Sequence, residues 1–420
     1  MNNTEKNLKI KETFAATKQR RKSMLCRVFT TKIQYNKLNR LQKEQLAGKF
    51  REAKWIYNSI LSQSKEGMDI FTLTEKDFLS VNHLDKDGNV LNDEVKCLSK
   101  REVQTVISSV KANISNLSKA KKKGLKVGSL RYISSYSSIN LPQYGVNYRI
   151  ENNNRVKVGK IHGTLKVNGL DQMKNLDCEF ANARLICRSS GYYIAFTVYT
   201  EKAEQERKKA VIGLDMGCET SITMSNGEKV NCQIGETERL KRLQRSLARC
   251  KKGSNNRCKI RSRIRREYEH VSNMKDDAAN KLVHRLSKYK VVIQDEQLAK
   301  WGSTGHGKKV HGSFLGRVKS RLMGKCDTYV ISKWVPTTKL CTECGCNVGL
   351  KLSDRIFVCP VCGHTEDRDV HAAKNMLWFY SKRETLLTGH KEYDRVSFRQ
   401  GLSSLFGASE HDAAESLAQW

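Results

Sequence analysis

The chain has 420 residues, with 77 Lys and Arg against 43 Asp and Glu, which gives a formal net charge of +34. That length allows two or three domains with a sizeable core. No apolar run approaches transmembrane length and no signal peptide is evident, so we expect a soluble, intracellular protein with no membrane partner. The basic excess is larger than a solvated surface requires, and it indicates a polyanionic partner, most simply nucleic acid.

The first half of the chain predicts helices set within a β domain. Residues 1–25 are mostly polar with a basic run at 18–22, which predicts a flexible arm that either touches phosphate or is merely solvated. Residues 26–35 predict a strand, and apolar residues at helical spacing then predict two helices before residue 132. The second helix ends in a lysine cluster. Its candidate nucleic-acid-binding residues are Lys121, Lys122 and Lys123.

Short β-branched and aromatic runs, separated by Asn and Gly, predict β structure from about 132 to 200. Basic and tyrosine residues interleave in this region. Such a mixture can hold phosphates and stack on bases, or it can line the half-exposed face of a barrel.

Residues 239–266 hold thirteen Lys and Arg and no acid. Apolar spacing predicts two helices here, joined by a turn at 253–256. Charged helices are usually solvated faces rich in ion pairs, but that explanation requires acids that this stretch lacks. The stretch therefore predicts contact with a polyanion. The candidate residues are Lys241, Arg242, Arg245, Arg249, Lys251, Lys252, Arg257, Lys259, Arg261, Arg263, Arg265 and Arg266.

Two C-x-x-C pairs, fourteen residues apart, predict a zinc ribbon. Four thiolates fill a tetrahedral coordination sphere, so the predicted Zn²⁺ is structural rather than catalytic. Two disulfides are the alternative, which an intracellular setting disfavours. Cys346 is a spare cysteine and a predicted non-ligand, and residues 356–358 predict a short strand. The predicted ligands are Cys341, Cys344, Cys359 and Cys362.

Three acids lie at the ends of predicted elements: Asp215 on an apolar strand, Glu296 after the strand at 289–293, and Asp369 at the start of the last helix. A lone strand-end acid is more often a cap or turn residue. Three carboxylates that meet at strand ends, however, can hold two Mg²⁺ ions, which together act on the attacking water and leaving oxygen of a phosphodiester. The set therefore predicts a candidate catalytic and Mg²⁺-binding site.

With these motifs the chain resembles the RuvC/RNase H-like nucleases, and more specifically the transposon-encoded TnpB proteins and the related compact type V CRISPR effectors. The resemblance covers roughly residues 26–380 and is most specific after residue 206. The motifs that carry it are VIGLDMG at 211–217, KGSNNR at 252–257, VVIQDEQ at 291–297, CTECG and CPVCG in the ribbon, and DRDVHAAKNML at 367–377.

The resemblance implies an α/β multidomain fold. A RuvC-like nuclease core would carry an inserted zinc ribbon, and an N-terminal β wedge-like domain would carry an inserted helical recognition domain. The expected boundaries are 1–25 for a basic arm, 26–36 and 132–205 for the wedge-like domain, 37–131 for the helical domain, 206–336 and 364–380 for the nuclease core, 337–363 for the ribbon, and 381–420 for a C-terminal tail.

The resemblance also implies a function, an RNA-guided DNA endonuclease that cleaves phosphodiester bonds with two catalytic Mg²⁺ ions and carries one structural Zn²⁺. Its partners would be a guide RNA and target DNA, and the protein would be a monomer or homodimer. It would lie in a prokaryotic cytoplasm, associated with the nucleoid when bound to DNA. Alternatives are an RNA-guided DNA-binding regulator without cleavage, and a RuvC-like nuclease that needs no guide.

Carried onto this sequence, the first acid of the family matches Asp215 and the third matches Asp369, while His371 replaces the usual Asn of the pattern D-x-N-A. The family commonly reads Glu-Asp-Leu where this chain reads Gln294-Asp295-Glu296. Strand alternation places Gln294 and Glu296 on one face. We therefore predict Glu296 as the second acid, with Asp295 as the alternative.

Overall fold

A computed structural model describes residues 3–84, 88–122, 124, 126–152, 154–201, 210–217, 221–296, 298–301, 307–351 and 353–382. The chain divides into two compact units, Met1–Gln205 and Glu206–Trp420. Within the described ranges, no helix is both long and apolar enough to cross a membrane. Both units combine helices with sheets, which confirms the predicted α/β class.

The first unit is built on a seven-stranded antiparallel sheet with the strand order β4-β8-β9-β1-β7-β6-β5. An unbroken ladder joins β1 to β9 and pairs Leu25 with Thr200 and Phe29 with Phe196. The helices and strands of this unit are α1 (Asn3–Ser23), β1 (Leu25–Ile33), α2 (Arg40–Lys65), β2 (Ser80–Leu84), β3 (Val90–Glu94), α3 (Lys100–Lys122), β4 (Ser138–Leu141), β5 (Tyr148–Glu151), β6 (Arg155–Val158), β7 (Leu165–Asn168), β8 (Glu179–Arg188) and β9 (Gly191–Thr200).

Helices α2 and α3 share a core that contains a buried ion pair. Lys49 Nζ lies 2.7 Å from Glu102 Oε2, and the two side chains are 0% and 1% exposed. Removing one partner of such a pair leaves an uncompensated buried charge and costs about 3–5 kcal/mol. The hairpin β2–β3 lies between the two helices in the sequence, in a segment that is largely polar and whose Asp-Gly pair at 87–88 predicts only a turn.

The N-terminal basic run differs from its prediction. Residues Asn3–Ser23 form helix α1 rather than a flexible arm. Arg20 and Arg21 pair with Glu179 on β8 at 2.7 and 2.6 Å, so part of the basic run is neutralised within the first unit. The acid that accepts them is 158 residues away in sequence, and no local pattern could reveal it.

The second unit is built on a five-stranded sheet with the order β12-β11-β10-β13-β14, in which β10, β13 and β14 are parallel. Its elements are β10 (Val211–Met216), β11 (Ile222–Met224), β12 (Lys229–Val230), α4 (Glu238–Arg249), α5 (Asn255–Leu286), β13 (Lys290–Gln294), α6 (Leu298–Trp301), α7 (Gly307–Gly312), α8 (Leu315–Lys325), β14 (Thr328–Ile331), β15 (Ile356–Val358), β16 (Thr365–Asp367) and α9 (Arg368–Ser381).

Helices cover both faces of this sheet, as parallel strands require. Val291 and Ile293 of β13 pack in a cluster with apolar residues of α5 and α8. Val292, which alternates with them, packs with Met376 and Phe379 of α9. The apolar run at 289–293 is therefore buried on both sides.

Helix α9 approaches β10 very closely at Gly213. A Cβ atom added to Gly213 would lie 2.1 Å from the carbonyl oxygen of Ala373. Only glycine allows this separation, because the atom that a Cβ would meet belongs to the backbone of α9 and cannot move aside as a flexible side chain could. The close packing places the N-terminal turn of α9 beside the end of β10.

Four other predictions differ from the structure or lie outside it. Apolar residues at helical spacing predict one helix at about 311–323, whereas the structure has two helices, α7 and α8. The sequence pattern predicts a strand at 328–335, but β14 ends at Ile331. Two of the predicted features, Lys123 and the tail beyond residue 382, lie outside the described residues.

Candidate active site and metal centre

The structure brings the four predicted zinc ligands together. The Sγ atoms of Cys341 and Cys362 are 3.6 Å apart, and those of Cys344 and Cys359 are 3.5 Å apart. Four sulfurs bound to one Zn²⁺ at about 2.3 Å would be separated by about 3.8 Å, whereas a disulfide requires about 2.05 Å. The cluster is therefore compatible with a structural zinc ion and does not form disulfides. Cys346 lies outside this group of four ligands.

Glycine shapes both thiolate turns. Gly345 and Gly363 have φ values of 78° and 74°, and their N–H groups donate to the carbonyls of Cys341 and Cys359. Glycine adopts this left-handed conformation without the steric penalty that a Cβ atom adds. Burial works to raise the pKa of Cys359, but N–H groups within its turn outweigh burial and lower that pKa to about 7. Burial raises the pKa of the neighbouring thiols Cys341 and Cys344.

The three predicted acids converge although they are far apart in sequence. Asp215 lies near the end of β10, Glu296 follows the end of β13 by two residues, and Asp369 lies in the first turn of α9. Burial, followed by the negative charges of Asp369 and Glu296, raises the pKa of Asp215 to about 7. Burial also raises the pKa of Glu296. Carboxylates that disfavour each other's ionisation form a site suited to a cation.

Asp295 and Glu296 have different surroundings. The Asp295 carboxylate accepts a hydrogen bond from Lys319 Nζ at 3.0 Å and is 57% exposed. Glu296 is half-buried and adds its charge to that of Asp215, whereas Asp295 does not act on Asp215. Strand alternation does not extend beyond Gln294, because β13 ends there and the Glu296 N–H donates back to the Gln294 carbonyl.

The Gln294 side chain has a structural role of its own. Its Nε2 donates to the carbonyls of Ser332 and Val335 at 3.1 and 2.7 Å, and its Oε1 accepts from Thr337 Oγ1 at 3.0 Å. A carboxylate could not make the two donations, since it has only acceptors when ionised. The buried amide therefore ties β13 to the segment after β14.

Two neighbours of Asp369, neither of them predicted from the sequence to have a role, hold it in position. Asp367 caps α9 by accepting from the N–H groups of Asp369 and Val370, and it pairs with Lys229 at 2.7 Å. An acid directly before an apolar helix is a recognisable capping signal. Arg368 Nη2 lies 3.2 Å from Asp369 Oδ1, and its charge also lowers the pKa of Asp215. Arg368 is thus a counter-charge within the carboxylate cluster.

His371 is buried below Asp369 in α9 and is 2% exposed. Its ring stacks on Phe357 of the ribbon with centroids 3.7 Å apart, and its Nε2 lies 2.9 Å from the Leu340 carbonyl. Burial lowers the pKa of His371, which keeps the imidazole neutral. The residue that replaces the usual Asn therefore joins α9 to the ribbon.

Helices α4 and α5 carry the predicted basic surface. Of the thirteen Lys and Arg residues at 239–266, twelve are exposed. Arg257 is the exception, because its Nη1 donates to the carbonyls of Leu247 and Cys250 and closes the end of α4. Two acids just outside the stretch pair with it, Glu238 with Lys241 at 2.7 Å and Glu267 with Arg239 at 3.5 Å. The rest of the charge lies on an exposed face.

The lysines predicted at the end of α3 belong to the first unit. Lys121 and Lys122 are exposed in the last turn of that helix. Cations at a helix C-terminus are stabilised by the helix dipole, so this position has a structural explanation as well as a binding one.

Two family models match parts of the second unit and its N-terminal flank. Residues 195–300 match the family described as "Probable transposase" (OrfB_IS605), a range that contains Asp215 and Glu296. Residues 317–376 match the family described as "Cas12f1-like, TNB domain", a range that contains the four thiolates and Asp369. The predicted resemblance to TnpB-like proteins and type V effectors is confirmed by these matches.

Two curated relatives carry names that fit these families. A Streptomyces pristinaespiralis protein named "Putative RNA-guided DNA endonuclease" is 34% identical over 180 residues, which cover 40% of this chain and 44% of that protein. An Escherichia coli (strain K12) protein named "Putative RNA-guided DNA endonuclease InsQ" is 29% identical over 213 residues, which cover 44% of this chain and 53% of that protein. The matches thus span about half the length of each relative.

A solved structure also matches, described as the cryo-EM structure of the Cas12f1–sgRNA–target DNA complex. It covers 84% of this chain and 98% of the matched chain, with 11% sequence identity and a TM-score of 0.25. Likeness at that level supports no inference about this chain.

Proposed function

We propose that this protein is an RNA-guided DNA endonuclease that cleaves phosphodiester bonds with a RuvC-like site. The observation that carries the proposal is the convergence of Asp215, Glu296 and Asp369 from three separate stretches of the second unit, with the pKa of Asp215 raised to about 7. Such a cluster is unfavourable unless a cation occupies it.

The architecture supports assigning each region a role. Residues 206–336 and 364–380 would be the RuvC-like nuclease core, and 337–363 its zinc ribbon. Within the first unit, 26–36 and 132–205 would form the wedge-like domain and 37–131 the helical recognition domain. The core assignment is supported by parallel strands β10, β13 and β14, whose carboxyl ends bear or precede the acids Asp215 and Glu296. Active sites of open α/β sheets commonly lie at that edge.

The residues in and around the carboxylate cluster would have different roles. Asp215, Glu296 and Asp369 would hold two Mg²⁺ ions, which when bound stabilise the attacking and leaving oxygens of a phosphodiester. Asp367 fixes the first turn of α9, so the Asp369 carboxylate keeps its place near Asp215. Arg368 neutralises part of the negative charge before a cation binds.

The exposed basic face of α4 and α5 would bind the phosphate backbone of nucleic acid. Its side chains lack enough acidic partners in the neighbouring sequence, so a polyanion is the partner of matching charge. The names of the two relatives support RNA as the guide and DNA as the target. Base pairing with the guide would read the target sequence, while the protein holds the backbones.

The test is a cleavage assay with Mg²⁺, copurified RNA and a matched DNA target. Asp215→Ala should lose cleavage at least about 100-fold while keeping RNA binding, since the three acids and the basic face share no residue. The exposed Asp295→Ala variant is the matched control and should keep cleavage near wild type. Cleavage by Asp215→Ala at the wild-type rate would refute the assignment.

One observation favours a second function, a guided DNA-binding regulator without cleavage. Gln294 stands where the family commonly has an acid, and its amide is bound to backbone carbonyls rather than available to a metal. If the protein is a nuclease, Glu296 supplies the metal-binding carboxylate that Gln294 lacks. If the protein is a regulator, Glu296 does not take over that role. Guided DNA binding by the wild-type protein without any cleavage, at saturating Mg²⁺, would favour the regulator.

A further inference from the structure

In addition to the thiolate cluster, the second unit contains another group of side chains that could bind a metal ion. His364, Glu366 and His371, here called the His–Glu cluster, each offer a ligand atom, and these atoms lie within 4.8 Å of one another. His364 comes two residues after the last zinc thiolate, Glu366 lies on β16, and His371 lies on α9. The cluster shares no residue with the four thiolates or with the three catalytic acids.

The tautomer of His371 follows from its hydrogen bonds. The Asn375 Nδ2 group donates to the carbonyls of Thr337 and Leu340, which uses both of its hydrogens. His371 Nε2 lies 2.9 Å from the same Leu340 carbonyl and 3.0 Å from Asn375 Nδ2. Because a carbonyl oxygen can only accept, Nε2 carries the hydrogen of the bond to Leu340. A neutral imidazole then has its lone pair on Nδ1. Histidines that bind metal commonly donate their other ring N–H to a backbone carbonyl in this way.

Glu366 Oε2 lies at the same distance from His371 Nδ1 and from a nitrogen of a second histidine. Glu366 Oε2 lies 3.9 Å from His371 Nδ1 and 3.9 Å from His364 Nε2. Both distances are too long for hydrogen bonds. The other oxygen, Glu366 Oε1, accepts from Lys374 Nζ. Lys374 thereby holds the carboxylate with Oε2 turned to the two imidazoles.

These distances suit an ion bound between the Glu366 carboxylate and the two imidazoles better than direct hydrogen bonds between them. Tetrahedral zinc binds imidazole nitrogen and carboxylate oxygen at about 2.0–2.1 Å, which separates its ligand atoms by about 3.4 Å. The two distances to Glu366 Oε2, both 3.9 Å, need to contract by only about 0.5 Å around an ion. All three ligand atoms lie within 4.8 Å of one another. The ring of His371 is held by stacking on the buried Phe357. His364 is 31% exposed, so an ion has a route from solvent and an open fourth position.

We propose that the His–Glu cluster is a second metal site, separate from the ribbon thiolates, which binds a zinc-type divalent ion through His364, Glu366 and His371. Two imidazoles and one carboxylate favour such borderline ions over Mg²⁺ or Ca²⁺, which prefer oxygen ligands alone. The ion would join the strand β16 to helix α9. Because Asp369 lies two residues before His371, the ion would steady the turn that carries this acid. The proposal does not depend on guided cleavage.

The test measures bound metal on the full-length protein. Zinc is added in excess and then removed down to tightly bound ions by dialysis against a weak chelator. The wild type should keep two equivalents, whereas His364→Gln and Glu366→Gln should each keep one. His284→Gln, which changes an exposed histidine on α5, is the matched control and should keep two.

Cobalt identifies which site each ion occupies. Co²⁺ bound by the four thiolates gives intense sulfur-to-metal absorption, and Co²⁺ bound by the His–Glu cluster gives only weak visible bands. His364→Gln should lose the second equivalent and leave the sulfur absorption unchanged. His364→Gln is the decisive variant because His364 is partly exposed, whereas His371→Asn would also alter the packing of α9 on Phe357. One equivalent of zinc in the wild type, or two in His364→Gln, would overturn the proposal.

Discussion

Replacing Asp215 with Asn should stabilise the metal-free protein at neutral and alkaline pH. The pKa of this carboxyl rises from 3.8 to about 7 in the folded state because of burial and the nearby Asp369 and Glu296. The folded state therefore holds a proton that the unfolded chain has released between those two pH values. Stability contributed by this group is complete below pH 3.8 and is lost as the pH rises through about 7.

The size of the effect follows from the pKa. A rise from 3.8 to about 7 corresponds to at most ~4 kcal/mol of lost stability above the higher pKa. Solvent at the site reduces that ceiling, so we expect Asp215→Asn to gain about 2 kcal/mol at about pH 8 and almost nothing at about pH 4. For a unit of about 200 residues this is a rise of about 4–8 °C in Tm.

The assay is thermal unfolding of the zinc-loaded protein from about pH 4 to pH 8, with and without Mg²⁺. Mg²⁺ should stabilise the wild type, because an ion that binds only the native state raises its stability. The effect on Asp215→Asn should be much smaller, because this variant lacks one of the proposed carboxylate ligands. Asp295→Asn is the control, since the exposed Asp295 carboxylate makes an ion pair with Lys319 that is worth about 1 kcal/mol or less. A loss of stability in Asp215→Asn at pH 8 without Mg²⁺ would refute the reasoning.

Three further predictions concern other residues. Glu296→Gln should lose Mg²⁺-dependent cleavage at least about 100-fold while Asp295→Asn keeps it; equal losses in the cleavage assay would mean that the wrong acid has been chosen. Gly213→Ala should destabilise the protein by about 2–3 kcal/mol in urea unfolding, because its Cβ meets the Ala373 carbonyl oxygen at 2.1 Å, whereas Gly316→Ala on α8, whose Cβ meets nothing within 4 Å, should be neutral or slightly stabilising. Replacing three exposed arginines with Gln should reduce the slope of log K against log salt for nucleic-acid binding by about 2–3, and an unchanged slope would show that this face makes no phosphate contacts. The three arginines are Arg261, Arg263 and Arg265.

Local sequence patterns predicted the core elements because their signals are short-range. The apolar run at 289–293 and the strand carrying Asp215 follow from composition alone, and the C-x-x-C spacing identifies four sulfurs that do lie together. The strand at 356–358 was also predicted correctly and is β15.

What the sequence could not supply depends on long-range contacts. The N-terminal helix pairs its arginines with Glu179, and that distant acid is invisible to a reading of residues 1–25. Strand alternation predicted Glu296 as the second acid, but β13 ends at Gln294. The position of Glu296 is therefore set by the turn after β13 and not by alternation along the strand. His371 was identified only as a departure from a family pattern. Its neighbours Glu366 and His364 become apparent once α9 packs on the ribbon.

Exchange of the guide is the most direct test of the proposed activity. RNA that copurifies with the protein is sequenced, and the segment not held by the protein is replaced to match a new DNA target. Cleavage in Mg²⁺ should move to the new target and disappear from the old one, and Asp215→Ala should cut neither. Absence of copurified RNA, or cleavage that stays at the original site after the exchange, would contradict RNA-guided cleavage.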